Sequence, residues 1–181
     1  MRLCVIPARG GSKRIPRKNM KIFCGKPIIA WSIEAAIKSK CFDKIIVSTD
    51  NQEISYISCK YGAEVPFLRP KELADDFTGT TPVVKHAIEW INKNNKYKVD
   101  FACCIYATAP FIEAHYIKEG YEKLIRKNAQ YSISVTSYSF PIQRAIKIID
   151  DEKIIMIYPE NFNKRSQDLE ETFHDAGQFC W

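Results

Sequence analysis

The chain has 181 residues, of which 46% are hydrophobic and 27% charged, values typical of a globular domain large enough to bury a sizeable core. No segment approaches the ~20 apolar residues that a membrane span needs, and the apolar run at the N-terminus is too short for a signal peptide, so we expect a cytoplasmic protein with no membrane partner. The formal net charge is +6, but residues 1–33 hold eight of the 27 Lys and Arg residues and no acidic residue, which excludes a uniformly basic protein and indicates one concentrated positive segment.

Apolar runs alternate with helical patterns along most of the chain. The runs predict strands over residues 3–7, 44–49, 64–67, 101–106 and 131–136. Apolar residues at helical spacing predict helices over residues 28–38, from a cap at Asp50 or Asn51 to Tyr61, over 82–92 and over 113–127. This order predicts βαβ units and a mostly parallel sheet covered on both faces, in which ligands bind at the carboxyl ends of the strands.

The pattern changes after Ser137. Residues 144–149 and 153–157 flank the acidic turn 150–152 and predict a β-hairpin. A polar loop and a last stretch, residues 173–181, follow it. We therefore expect an α/β domain over residues 1–137 and a subdomain or arm over residues 138–181.

The seven cysteines are odd in number and form neither a C-x-x-C pair nor a Cys/His cluster with zinc spacing. Cys4, Cys103 and Cys104 lie in strand-like runs, which favours buried thiols in a reducing compartment. The acidic run at 150–152 is interpreted as a hairpin turn. The residues alone therefore predict no protein-held metal site.

The basic segment directly after the first predicted strand is Ala8-Arg9-Gly10-Gly11-Ser12-Lys13-Arg14-Ile15-Pro16-Arg17-Lys18-Asn19. Glycines let backbone N–H groups approach phosphate oxygens, and the interleaved cations add charge at separate points. The segment is neither a Walker A motif nor G-x-G-x-x-G. It predicts a triphosphate-binding loop. A solvated basic face and a nucleic-acid patch remain alternatives, but the exposed aromatic residues of a stacking platform are not interleaved with it, so we expect no nucleic-acid partner.

The same segment, I-P-A-R-G-G-S-K-x-I-P-x-K-N, resembles the N-terminal signature of the CMP–sugar-acid synthetases, the cytidylyltransferases for sialic, legionaminic and pseudaminic acids. Further resemblances follow in order at residues 46–50, in R-P-x-x-L-A-x-D at 69–76, at 78–82 and in R-S-Q-D-L at 165–169. The resemblance covers nearly the whole chain. It implies a three-layer α/β sandwich of the nucleotide-diphospho-sugar transferase type, with a small appended β-hairpin or arm.

The resemblance also implies roles for individual residues. Those that would hold the nucleotide, CTP, are Arg9, Gly10, Gly11, Ser12, Lys13, Lys18, Asn19, Arg69, Thr78, Thr80 and Thr81. Lys18 and Arg9 would be catalytic. Those that would face a nine-carbon sugar acid are Tyr106, Thr108, Gln143, Arg165, Gln167 and His174. His174 has a surface histidine as its alternative interpretation. Residues 1–137 would bind the nucleotide, and residues 138–181 would serve the sugar side and a homodimer.

Two departures bear on the substrate. Tyr106-Ala107-Thr108-Ala109-Pro110 stands where the sialic acid enzymes have Q-P-T-S-P, and residues 174–179 also differ from them. Both stretches, with residues 140–144, resemble the pseudaminic acid branch. The implied reaction is transfer of CMP from CTP to the sugar acid with release of pyrophosphate. Legionaminic and sialic acid remain alternative acceptors.

The implied cofactor is Mg²⁺, bridging the phosphates. Family members hold it with an aspartate-rich D-I-D-T-type segment, which is expected beyond residue 181. Asp75 and Asp76 belong to the nucleotide loop and are not taken as replacements. A protein that binds CTP without turning it over is therefore a further alternative.

Overall fold

A computed structural model describes all 181 residues apart from the side chain of Asp151. The strands are β1 (Arg2–Pro7), β2 (Ile22–Phe23), β3 (Lys26–Pro27), β4 (Lys44–Ser48), β5 (Phe101–Ile105), β6 (Ile133–Ser137), β7 (Ile146–Ile148), β8 (Ile154–Met156) and β9 (Phe173–Cys180). The α-helices are α1 (Ile28–Ser39), α2 (Gln52–Lys60), α3 (Thr80–Asn94) and α4 (Ala114–Arg126). Short 3-10 helices occupy Lys18–Met20, Lys71–Leu73, Ile142–Arg144, Asp150–Glu152, Pro159–Asn161 and Ser166–Asp168. None of the helices in the described chain has the length and apolar character of a membrane span.

A five-stranded sheet runs in the order β4-β1-β5-β9-β6. β1 pairs in parallel with β4 on one side and with β5 on the other. β9 pairs antiparallel with β5, so the sheet is mixed. The chain divides into two compact units, the first formed by residues 1–134 and 177–181 and the second by residues 135–176.

β1 is buried on both faces because its side chains alternate between two helical layers. Leu3 and Val5 pack in one apolar cluster with Ile91 of α3. Cys4 and Ile6 belong to a second cluster, to which α1 and α4 contribute. The four central side chains of β1, those of residues 3–6, are each 0% exposed. The unbroken apolar run of the sequence thus reflects a central strand covered on both faces, and the predicted three-layer α/β sandwich is confirmed.

The predicted strand over residues 64–67 was wrong. Only isolated parallel bridges, at Glu64 and at Leu68, join this segment to the β4 side of the sheet. Pro66 lies between them and has no amide hydrogen to donate to a ladder. The segment therefore follows the sheet edge without becoming a strand.

α3 begins two residues earlier than the prediction from Pro82. Its N-cap is Gly79, so Thr80 and Thr81 lie in the first helical turn. Pro82 is tolerated there because the first-turn amides need no partner within the helix. Thr80 and Thr81, which precede the predicted helix, therefore sit at a helix N-terminus.

The strand cysteines are thiols in apolar surroundings. Cys4 and Cys103 are fully buried, and burial raises the pKa of both thiols well above the ordinary value. Burial also raises the pKa of Cys104 to about 12. These groups stay protonated at neutral pH and pack as small hydrophobic side chains, as predicted.

The second unit contains the predicted hairpin, formed by the antiparallel pair β7 and β8. On one face, Ile146 lies opposite Met156 and Ile148 lies opposite Ile154. On the other face, Lys147 lies opposite Ile155. Ile146, Ile148 and Ile154 are all exposed within this chain. An isolated two-stranded ribbon is marginally stable in water, and this one exposes an apolar face.

Within the first unit, α4 approaches the end of β9 closely at Gly120. A Cβ atom at this position would lie 2.9 Å from Cε2 of Phe179 and 3.2 Å from Cδ1 of Trp181. Both aromatic side chains are buried, and the indole nitrogen of Trp181 donates a hydrogen bond of 2.8 Å to the carbonyl of Ile117 in the same helix. The helix therefore carries a glycine where a side chain would separate it from the aromatic residues.

Replacing Gly120 by Ala should lower the free energy of unfolding by about 1–2 kcal/mol. Overpacking costs roughly 1–3 kcal/mol, which exceeds the gain in helix propensity of at most about 1 kcal/mol. Urea unfolding followed by circular dichroism measures the difference. In a Phe179→Leu background the same change should cost distinctly less, because the nearest clash is removed. Equal or greater stability of the single variant would contradict the close approach.

Candidate functional site

A pocket of about 640 Å³ opens at the carboxyl ends of β1 and β5. Its walls come from the segment after β1, from residues 69–80 and from the segment after β5. The parallel pairing of β1 with β4 and β5 brings these connections to one edge of the sheet. This is the edge at which the sequence predicts ligand binding.

The pocket brings together most of the residues predicted for the first unit. The predicted residues that line it are Arg9, Ser12, Lys13, Lys18, Asn19, Arg69, Thr78, Thr80, Tyr106 and Thr108. Gly10, Gly11 and Thr81 lie in the same segments but do not line the pocket. Arg14, Ile15 and Val83, which sequence reasoning did not select as site residues, also line it. Asp76 lines it as well; the sequence placed this residue in the nucleotide loop without giving it a binding role.

The basic loop, residues 8–19, is held by hydrogen bonds within the loop and by contacts with the residues at the start of α2. The amide of Gly10 donates to Oδ1 of Asp50 at 2.8 Å, and the Asn19 side chain donates to the Arg9 carbonyl at 2.9 Å. A Cβ atom at Gly10 would lie 2.9 Å from Cβ of Asn51. Gly10 is thus used for close packing, and its amide is already engaged by a carboxylate. These contacts hold the loop in the conformation seen here.

Positive charge dominates the pocket wall. Five cationic side chains line it, namely Arg9, Lys13, Arg14, Lys18 and Arg69. Asp76 is the one acidic residue among the described lining residues. Its carboxylate pairs with Arg9 at 2.8 Å and with the Lys13 ammonium. Among the residues whose side chains are described, no acidic group pairs with Lys18, so its charge is available to an anion.

Arg69 is buried to 6% exposure and ties the loop to the end of β4. Its guanidinium donates to the Ser48 hydroxyl at 3.1 Å, to the Ser48 carbonyl, and to the Leu73 carbonyl at 3.4 Å. Burial lowers the pKa of Arg69 to about 10, against the opposing effect of Asp50 and together with the nearby Arg9. Arg69 remains charged at neutral pH, and its donors are largely used within the protein.

The N-terminus of α3 points a further positive element at the pocket. Thr78, Gly79 and Thr80 line the pocket, and no side chain caps the first helical turn. First-turn amides and the helix dipole together form an anion-binding element. The sequence signal for this helix start is the glycine that precedes two threonines and a proline, whereas the predicted helix begins only at Pro82.

No metal centre is built into the described part of the chain. No three His, Cys, Asp or Glu side chains of the described residues converge on one position. The single pocket carboxylate, Asp76, is already paired with two cations. This donor set does not fit a resident Mg²⁺, which prefers free oxygen ligands.

The remaining predicted residues belong to the second unit, where they form local contacts. Arg165 binds Asp168 through two hydrogen bonds, of 2.7 and 3.0 Å. Gln143 donates to the Glu170 carbonyl at 3.0 Å, and its side-chain oxygen is buried with no partner in the described structure.

His174 and Gln167 lie in the same unit. The His174 ring lies 4.8 Å from the Tyr138 ring in an edge-on arrangement, and its Nδ1 lies 2.9 Å from the Asp175 carbonyl oxygen. Gln167 is exposed in a 3-10 helix. The roles predicted for the four second-unit residues stay predictions.

Known proteins resemble this chain in both sequence and structure. A family model described as Cytidylyltransferase matches residues 3–173. In structure, a CMP:2-keto-3-deoxy-manno-octonic acid synthetase complexed with CTP aligns with a TM-score of 0.70 at 18% identity, over 99% of this chain and 73% of that chain. That likeness shows a shared fold.

Two relatives are similar over almost the whole chain. The pseudaminic acid cytidylyltransferase of Campylobacter jejuni subsp. jejuni serotype O:23/36 is 46% identical over 177 residues, which cover 98% of this chain and 76% of that protein. The CMP-N,N'-diacetyllegionaminic acid synthase of Legionella pneumophila subsp. pneumophila is 36% identical over 170 residues, which cover 93% of this chain and 69% of that protein. With a family match over nearly its whole length, the chain belongs to the cytidylyltransferase family of nucleotidyltransferase enzymes.

Proposed function

We propose that the protein transfers CMP from CTP to pseudaminic acid and releases pyrophosphate. The observation that carries the proposal is a pocket with five cations and one carboxylate at the carboxyl edge of the sheet, in a chain 46% identical to an enzyme named for this reaction. A polyphosphate needs such a concentration of positive charge.

The triphosphate would lie between the basic loop and the N-terminus of α3. Arg9, Lys13 and Lys18 neutralise the phosphates in this arrangement, with Ser12 and the α3 amides as further donors. Lys18 would carry the catalytic role that the family resemblance implies for it, and its charge is not compensated by an acidic partner among the described side chains. A preorganised cation stabilises charge as it develops in the transition state, without reorganisation of water.

The chemical step is an in-line displacement. The anomeric hydroxyl oxygen of the sugar acid forms a bond to the α-phosphorus as the bond from that phosphorus to the bridging oxygen breaks. Pyrophosphate leaves with the bonding electrons, and the hydroxyl proton is released. Such a reaction asks the protein mainly for positioning and charge neutralisation, with Arg9 and Lys18 acting as the catalytic residues.

The nucleoside would be held at the residue 69–81 wall. Thr78 and Thr80 offer hydroxyl groups there, and the Asn19 side chain, which donates to the Arg9 carbonyl, also lines the pocket. Arg69 acts through the loop that it anchors, since most of its donors are bound within the protein. This wall is the part of the pocket that distinguishes the base.

The sugar acid would be contacted by Tyr106 and Thr108 after β5. The family resemblance also implies sugar-binding residues within the second unit. The candidates in that unit are Gln143, Arg165, Gln167 and His174. Arg165 suits a carboxylate because its guanidinium forms paired hydrogen bonds, as it does with Asp168. The unpartnered oxygen of Gln143 supports a role for that side chain in ligand binding.

Magnesium enters the proposal as part of the substrate, bound to the CTP phosphates. It supplies charge neutralisation on phosphate oxygens. The cytoplasm is the proposed location, which the free thiols support because they call for a reducing compartment.

A homodimer is part of the proposal, and the β7–β8 hairpin supports it. The hairpin face formed by Ile146, Ile148 and Ile154 is exposed within one chain and would be covered by a second copy. Burying an exposed Ile contributes about 1.5–3 kcal/mol, so a shared face of this kind can hold two chains together.

The direct test is pyrophosphate release from CTP and Mg²⁺ with pseudaminic, legionaminic and sialic acids as acceptors. Pseudaminic acid should give the highest kcat/KM, and UTP in place of CTP should give little product. CTP binding without turnover on any acceptor would favour a binding protein. Salt-sensitive RNA binding in place of CTP binding would favour a nucleic-acid protein and contradict the proposal.

Lys18→Ala should reduce kcat by about 10²–10³-fold, the usual cost of losing one donor to developing charge. The affinity for CTP should change much less, because Arg9 and Lys13 still bind the phosphates. Steady-state kinetics and calorimetric CTP binding separate the two effects. Lys21→Ala is the matched control, since this exposed lysine lies three residues away and does not line the pocket. Near-normal turnover of the Lys18 variant would remove it from catalysis.

Ile148→Asp should weaken the dimer by at least about 30-fold, because the charge replaces a buried contact in each chain. Sedimentation velocity at micromolar concentrations measures the effect. Lys147→Asp introduces the same side chain on the opposite face of the hairpin and should leave the dimer intact. A monomeric wild-type protein, or a dimer that survives Ile148→Asp together with Ile154→Asp, would refute this interface.

A further inference from the structure

The pocket contains its own anion. Asp76 is the one acidic residue among the described lining residues, and each of its carboxylate oxygens meets a different cation. Oδ1 lies 2.8 Å from the Arg9 guanidinium, and Oδ2 contacts the Lys13 ammonium. Hydrogen bonds from these two cations hold the pKa of Asp76 below its ordinary value, so the group is ionised at neutral pH.

The turn that carries Asp76, residues 75–79, is built to present it. The Asp75 carboxylate accepts hydrogen bonds from the amides of Phe77 at 3.0 Å and Thr78 at 2.7 Å, which closes the turn on itself. Arg9 also donates to the Asp75 carbonyl. One arginine therefore fastens both the backbone and the carboxylate of the turn to the basic loop.

We propose that Asp76 is a built-in competitor for the triphosphate: its carboxylate pairs with Arg9 and Lys13 and must be displaced from them when CTP binds. The inference rests on the proposed function. The physical reason is that one cation cannot give the same donors to two anions, and that a carboxylate left beside the phosphates would repel them. Asp76 thereby keeps the two cations extended and neutralised until the substrate arrives, at the expense of CTP affinity.

The position of the contact supports displacement. Asp76 and Arg9 are about one-third exposed as side chains, and Lys13 is 82% exposed, so water and a phosphate can reach the ion pairs. Exposed ion pairs contribute little stability, so exchange of partners is energetically easy. Phe77, next in the chain, is 95% exposed and does not pack against the described residues to resist movement of the turn.

The test compares Asp76→Asn with Asp75→Asn by calorimetric binding of CTP without divalent cation. Asp76→Asn should bind CTP about 5- to 20-fold more tightly, because the competing charge is gone. Asp75→Asn removes the same charge one residue away, and its side-chain oxygen can still accept from the turn amides, so its affinity should stay within about twofold of wild type. Asp76→Ala, which lacks the amide, should also bind CTP more tightly.

Two further ligands identify the mechanism. Inorganic pyrophosphate should gain affinity in Asp76→Asn as CTP does, whereas cytidine, which lacks phosphates, should not. In an Arg9→Ala background the effect of Asp76→Asn should shrink, because one of the contested cations is absent.

Unchanged or weaker CTP binding by both Asp76 variants would overturn the inference and would make Asp76 a residue that positions Arg9 and Lys13. A gain in cytidine affinity equal to that for CTP would overturn it as well. Wild-type protein that binds neither CTP nor pyrophosphate would instead refute the proposed function, so the two failures are distinguishable.

Discussion

The parallel pairing of β1 with both of its neighbours is the constraint on which the site depends. It fixes the carboxyl ends of the strands at one edge, so segments far apart in the chain meet in one pocket. The pairing is possible because every central residue of β1 can be buried, alternately against α3 and against the opposite helical layer. The chemistry of the edge therefore depends on a central strand whose buried side chains, Leu3 to Ile6, are all apolar.

The cations collected at one edge repel one another, and fixed anionic groups of the protein reduce this repulsion. Asp50 accepts from the basic loop through Gly10, and Asp76 neutralises Arg9 and Lys13. Arg69 is surrounded mainly by neutral acceptors, and desolvation lowers its pKa. In the pocket, neutral groups of the core hold Arg69, whereas Arg9 and Lys13 pair with Asp76, which we propose the triphosphate displaces.

Much of the fold and of the first-unit site could be predicted from sequence, because the relevant signals are local. The run at β1, the capping Asn51 and the glycine-rich cationic segment each act within a few residues. What could not be predicted depends on contacts between distant segments. The pairing of Asp76 with Arg9 spans most of the first half of the chain, and the use of the Gly10 amide by Asp50 requires the strand register. The failure over residues 64–67 had a local cause, Pro66, whose missing donor was outweighed in the prediction by apolar neighbours.

The burial of Arg69 limits which residues of the proposed nucleoside-binding wall, residues 69–81, can be changed without disturbing the fold. The hydrogen bonds from Arg69 to Ser48 join residues 69–81 to the end of β4. A change at Arg69 would therefore alter the backbone position of this pocket wall as well as its surface. Thr78 and Thr80 lie on the same wall and are not buried in the core. Libraries aimed at a different nucleobase would therefore keep the arginine constant and diversify the threonine positions.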